Sequence, residues 1–145
     1  MAITVKKTSL WRKELDNEPG TLAGALAPLA ESGTNLQLVM LYRFRDTHQG
    51  AVEVYPIAGK KSTNVARKIG LSPSSVPVLL VEGDNRAGLG FQIAKAVSDS
   101  GINVSFLMAQ VVGRKYAAIF GFQNDNDAAK ASTLIKRAAA PTRKR

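Results

Sequence analysis

One histidine and no cysteine leave this 145-residue chain few ways to do covalent or metal chemistry. His48 falls in Asp46-Thr47-His48-Gln49-Gly50, a run that reads as a hairpin tip, where an imidazole is ordinarily just solvated. A single His without Cys cannot supply the usual zinc spacings. Asp16, Glu18, Asp84, Asp125 and Asp127 all stand where turns and helix starts favour acids in any case, so they do not imply an acid–base pair. Gly88-Leu89-Gly90 opens like a dinucleotide fingerprint, but Ile93 stands where the third glycine belongs and the parallel βαβ context is missing. Tyr116 and Phe120 share one face of a strand-like run, as an RNA-stacking sheet requires, yet a packed core uses the same spacing. The expectation is a non-enzymatic protein with no cofactor and no metal.

What remains is binding by backbone. Asp16-Asn17-Glu18-Pro19-Gly20-Thr21-Leu22 lies between a strand-like run and an apolar helical pattern, and Asp84-Asn85-Arg86-Ala87-Gly88-Leu89-Gly90 repeats that context 68 residues later. At the same offset Glu14, Ser32, Gly33, Asn35 and Met40 fall on Glu82, Ser100, Gly101, Asn103 and Met108, so the chain is a duplication. Each loop brings backbone N–H groups to a helix N-terminus, where orphan donors and the helix dipole favour an anion such as a free amino acid's carboxylate. Asp16, Asn17, Asp84 and Asn85 could accept from its ammonium. The competing reading is plain: Asp and Asn before a helix are ordinary N-caps, and glycine relieves strain in a turn.

The elements that must position these loops follow from periodicity. Ile3–Leu15 reads as one extended segment. Leu22, Ala25, Leu26 and Leu29 trace a helical stripe, with Pro28 expected to kink or shorten it and Gly33 to cap it. Asn35–Phe44 and Ala51–Ile57 read as strands, and Ser62–Ile69 as a short helix with Val65 and Ile69 inward. Leu71–Pro77, with two prolines and three serines, reads as the linker. The order then repeats: strand Val78–Glu82, helix Leu89–Ser100 with Ile93, Ala94 and Val97 on one face, and a hairpin of Ile102–Val112 with Lys115–Phe122. Helix Ala128–Ala139 follows, with N-cap and first-turn acids from Asp125-Asn126-Asp127, Ala131, Leu134, Ile135 and Ala138 inward, and Pro141 as its stop. Each half has the order of a ferredoxin-like split βαβ unit, an α+β fold with helices on one face of an antiparallel sheet. The expected units are 1–71, 72–140 and a basic tail, 141–145. At about seventy residues a lone core is marginal, so pairing of the two units is expected.

The net charge of +9 is concentrated in Lys60, Lys61, Arg67 and Lys68 and in Lys136, Arg137, Arg143, Lys144 and Arg145. A solvated helix face with a solubilising tail accounts for this, and so does an alternative, a basic nucleic-acid-associated module. No apolar run approaches the ~18 residues of a membrane span and no leader is apparent, so a cytoplasmic location without membrane contact is expected.

Glu14-Leu15-Asp16-Asn17-Glu18-Pro19-Gly20-Thr21-Leu22, followed by Glu31-Ser32-Gly33 and Thr34-Asn35-Leu36, resembles an ACT domain. Glu82-Gly83-Asp84-Asn85-Arg86-Ala87-Gly88-Leu89, with Asp99-Ser100-Gly101-Ile102-Asn103-Val104, resembles another. The resemblance implies a tandem regulatory module, a ligand sensor for allosteric control. Its units pair side by side into an eight-stranded sheet and hold an amino acid at the interface of paired domains. Carried onto this chain, the ligand residues are Asp16, Asn17, Pro19, Gly20, Thr21 and Leu22, with Asn85, Gly88 and Leu89 in the copy and Asn35 and Asn103 where the next strands open. The copy departs from the pattern, with Ala87 in place of proline and Gly90 in place of Leu22, so the first loop is favoured. Because the two units use up the chain, such a protein has to act on a partner enzyme or regulator, or through its own assembly as a homodimer.

Overall fold

The computed structural model describes residues 3–141. Among these residues eight strands and four helices form, in the order β1 (Thr4–Thr8), β2 (Trp11–Asp16), α1 (Thr21–Glu31), β3 (Leu38–Arg43), β4 (Gln49–Tyr55), α2 (Lys60–Lys68), β5 (Ser72–Pro73), β6 (Val78–Asp84), α3 (Leu89–Asp99), β7 (Val104–Val112), β8 (Lys115–Phe122) and α4 (Asp125–Ala138). They make two antiparallel four-stranded sheets, β3-β4-β2-β5 and β1-β6-β8-β7. Both have the ferredoxin-like strand order expected from the sequence.

Ser9–Ser75 is one compact unit. Its sheet packs Trp11, Val52 and Val54 against Leu29 of α1, Ala66 of α2 and Leu71, with Leu15, Leu22, Leu26, Val65 and Ile69 partly buried around them. Pro28 neither shortens nor ends α1, which runs on to Glu31. The proline removes one donor close to the C-terminus, and the following Leu29 is fully buried, anchoring the last turn. The segment expected to be a plain linker contributes β5 instead, because Trp11 and Arg12 pair with Pro73 and Ser72. A proline is tolerated there since β5 is an edge strand and needs no second ladder bond.

The other unit joins the chain up to Thr8 with Val76 onward. This corrects the expectation of one extended Ile3–Leu15 segment inside a first unit, 1–71. The strand breaks at Ser9-Leu10, and β1 pairs with β6 through Thr4↔Glu82 to Thr8↔Val78. The C-terminal half has only three strands of its own after Val76, so β1 supplies the fourth. Its core is the larger one, built on Leu79, Val81, Leu89, Ile93, Val97, Phe120, Phe122 and Ile135. The α3 stripe is Leu89, Ile93 and Val97; Ala94, expected inward, is exposed. The α4 N-cap is Asn124, whose Oδ1 accepts from the Asp127 amide at 2.8 Å, one residue before the predicted cap. Along its inner face Ala131 and Ile135 are buried as expected, Leu134 and Ala138 are half-buried, and Ala128 and Ala139 complete the contact. Of the C-terminal basic cluster, Arg143, Lys144 and Arg145 lie outside the described residues, as does most of the tail 141–145.

Candidate functional site

The first loop is fixed by backbone bonds rather than by its acidic side chains. Asp16 closes β2 opposite Gln49. The Asn17 amide donates to the His48 carbonyl at 2.6 Å, tying the loop to the neighbouring hairpin turn. The Thr21 hydroxyl donates to the carbonyls of Asp16 and Glu18, each at 2.8 Å. Gly20, at φ 91°, is the N-cap of α1, a left-handed conformation that glycine takes without Cβ strain. No side chain caps this helix, so Asp16 and Asn17 are not its N-caps. The amides of Leu22 and Ala23 therefore have no partner among the described residues. Pro19, Gly20 and the preceding polar residues are exposed, while Thr21 and Leu22 are half-buried.

The copy reproduces three of the backbone bonds. Asn85 donates to Arg114 of the next hairpin at 2.8 Å, as Asn17 does to His48. Leu89 donates to Arg86 at 3.1 Å, as Thr21 does to Glu18 at 3.2 Å, and Gln92 to Gly88 at 3.0 Å, as Gly24 does to Gly20 at 2.9 Å. Gly88 has φ 80° and again caps without a side-chain bond. The side chains differ. Arg86 reaches the carbonyls of Ala138 and Ala139, each at 3.2 Å, and Gln92 Oε1 at 2.8 Å, fastening this loop to the end of α4. Leu89 is fully buried and offers no hydroxyl where Thr21 stands. Asp84 bonds to Lys115, whose ammonium holds the carboxyl down at about 2.

The remaining sequence candidates are dispersed. Asn35 is exposed in the segment between α1 and β3. Asn103 is exposed just before β7 and lines an apolar groove with Phe91, Ala94, Ile102 and Leu107, a lining that includes no residue of the Asp84–Leu89 loop. Tyr116 and Phe120 are buried in the core, so this strand presents no aromatic platform for stacked bases. His48 contributes its carbonyl to the loop, and no group of three or more His, Asp or Glu side chains is placed to hold a metal among the described residues.

Sequence reasoning missed a groove of about 600 Å³ within the Ser9–Ser75 unit, lined by Lys13, Leu15, Asp16, Thr21, Gly24, Ala25, Lys68 and Ile69. Lys13 lies on the core-facing side of β2, between Trp11 and Leu15 in the strand's alternation, and it is half-buried. A lysine at an apolar position of the alternation was the available signal. On the opposite face of this sheet, Glu53 is buried at 4% exposure and accepts from the Tyr42 hydroxyl at 2.9 Å. Arg12 approaches that hydroxyl at 3.4 Å and pairs with Glu14 at 3.2 Å. Burial pushes the Tyr42 phenol upward, and Glu53 reinforces the shift.

No family model and no curated protein sequence matches the chain. Solved structures do match. A protein of Bacteroides thetaiotaomicron superposes with a TM-score of 0.73 at 15% identity, over 92% of this chain and 89% of that one. The ligand-free regulatory subunit of aspartate kinase from Thermus thermophilus gives 0.62 at 14% identity, over 95% and 97% of the two chains. A structure of aspartokinase alpha and beta subunits gives 0.60 at 14%, again over 95% and 97%. At these identities the likeness is one of fold, and it spans both units. The fold shared with these structures consists, in this chain, of two units, each an antiparallel four-stranded sheet in ferredoxin-like order.

Proposed function

We propose that this chain is a non-catalytic regulatory sensor whose ligand is a free amino acid held at the Asp16–Leu22 loop. The observation that carries the reading is the pair of unpartnered amides, Leu22 and Ala23, at the start of α1. They stand on a loop whose bonding is duplicated in the second unit, and a carboxylate satisfies such donors with help from the helix dipole. The likeness to aspartate kinase regulatory subunits supports a regulatory role. To transmit anything, the ligand has to bind one state of the protein, or of its complex with a partner, better than the other. The first loop is the competent one, because the second is fastened by Arg86 and has lost the threonine hydroxyl. Calorimetric titration with each of the twenty amino acids tests the reading. Heat or a rise in melting temperature with at least one of them is expected; none with any overturns it.

A nucleic-acid-associated role is the second reading, favoured by Lys60, Lys61 and Lys68, which are exposed on α2 without ion-pair partners among the described residues. Arg67 is partly engaged, its guanidinium lying 5.5 Å over the Trp11 ring. Steeply salt-dependent binding of DNA or RNA would support this role.

A further inference from the structure

The duplication supplies an internal control for the groove beside α1. Lys13, Thr21 and Ala25 occupy positions that the second unit, 68 residues on, fills with Val81, Leu89 and Ile93. All three of those are fully buried, so the second unit has closed apolar core where the first has an open groove. The space in the first unit comes from small residues, Gly24 and Ala25, and an added Cβ at Gly24 would meet nothing within 4 Å. A half-buried lysine facing inward costs desolvation unless something offsets it. Lys13 has no hydrogen-bond or ion-pair partner among the described residues, although Asp16 and Lys68 line the same groove. The Asp16 carboxylate likewise has no side-chain partner there. The groove thus sets two cations and one anion around an empty volume, a net charge of +1.

We propose that this groove, inside one unit, is the specificity-determining pocket for an acidic α-amino acid. Its side-chain carboxylate meets Lys13 and Lys68 and its ammonium meets Asp16, while its α-carboxylate is the group taken by the loop amides of Leu22 and Ala23; its charge of −1 balances the lining. The Thr21 hydroxyl, already held to the loop carbonyls of Asp16 and Glu18, can also accept a hydrogen bond from that ammonium. This inference rests on the amino-acid-binding reading and specifies its ligand.

Titration of the full chain with L-glutamate and L-aspartate, against glutarate and L-alanine, tests it. The acidic amino acids should bind at least tenfold more tightly than either control, since glutarate lacks the ammonium and alanine the second carboxylate. Lys13→Met keeps the aliphatic stem and should weaken glutamate binding at least tenfold. Gly24→Leu fills the groove from an exposed helix position that accepts leucine, and should abolish binding with circular dichroism unchanged. Asp16→Asn should narrow the gap between glutamate and glutarate. Absence of binding by acidic amino acids, or binding that neither Lys13→Met nor Gly24→Leu alters, overturns the proposal. If a different amino acid binds and is lost on Gly20→Ala but not on Lys13→Met, the loop reading stands and this pocket fails; if no amino acid binds, both fail.

Discussion

The hydroxyl of Tyr42 donates to the carboxylate of Glu53 across two neighbouring strands at 2.9 Å, and Glu53 is the one charged residue buried among those described. Removing that donor leaves a buried carboxylate short of a partner. Tyr42→Phe should therefore destabilise the protein by about 1–3 kcal/mol, seen as a lower midpoint in urea unfolding with unchanged slope. Glu53→Gln should cost less, because the amide oxygen still accepts from Tyr42.

The ion pair of Asp84 with Lys115 makes a pH-resolved prediction. Its carboxyl is held near 2, below the ordinary value of 3.8. A depressed folded-state pKa contributes stability that is fully present above the ordinary value and lost as pH falls from there through about 2. An NMR titration of the Asp84 side-chain carbon should show its midpoint near 2, and Lys115→Met should move it toward 3.8. A midpoint that stays put in the variant would show that Lys115 does not hold it there.

Gly20 and Gly88 occupy the same left-handed position in the two loops, and neither has an atom within 4 Å of where a Cβ would stand. Alanine at either position meets only backbone strain, of about 1–2 kcal/mol. Thermal unfolding should accordingly score Gly20→Ala and Gly88→Ala alike. Amino-acid binding should separate them, falling for Gly20→Ala and holding for Gly88→Ala; equal losses would remove the preference for the first loop.

Gly121 on β8 is required for a different reason. The Phe106 ring lies across it beside the irregularity between Val104 and Phe106 in β7, and a Cβ there would collide with the ring. Gly121→Ala should cost about 1–3 kcal/mol, and most of that should return in the double variant with Phe106→Leu. Simple additivity of the two changes would show that the ring contact is not the cause.

Much of this was legible because it is local. The two loops, the helical stripe of α1 and the hairpin across Gly113-Arg114 are written in residues close together in the chain, and all formed where expected. What the local pattern could not carry was partner choice. Nothing within Thr4–Thr8 says that it pairs with β6 rather than continuing into β2, and Ser72-Pro73 looks like linker until Trp11 is seen beside it. The same holds for the site. The loop amides follow from glycine and helix position, whereas the Lys13 groove depends on Lys68 and Gly24 arriving from two other elements. The Asp16 and Asn17 side chains would have been natural caps, but Gly20 took that role because the chain turns into α1 with a positive φ.

The splitting of the N-terminal segment has one more consequence. Thr8 and Val78 are register partners, and just inside them the Ser74 amide bonds to the Leu10 carbonyl at 2.7 Å. The Ser9–Ser75 unit is thus an insertion whose two ends are clasped together, and β1 can reach β6 only across that insertion. If the inserted unit were unfolded, closing a loop of about 70 residues to seat β1 would cost roughly 4 kcal/mol of chain entropy. When it folds, most of that cost is already met and the outer strand of the other unit is held in place. Folding of the inserted unit therefore supports the sheet of the other through chain connectivity alone.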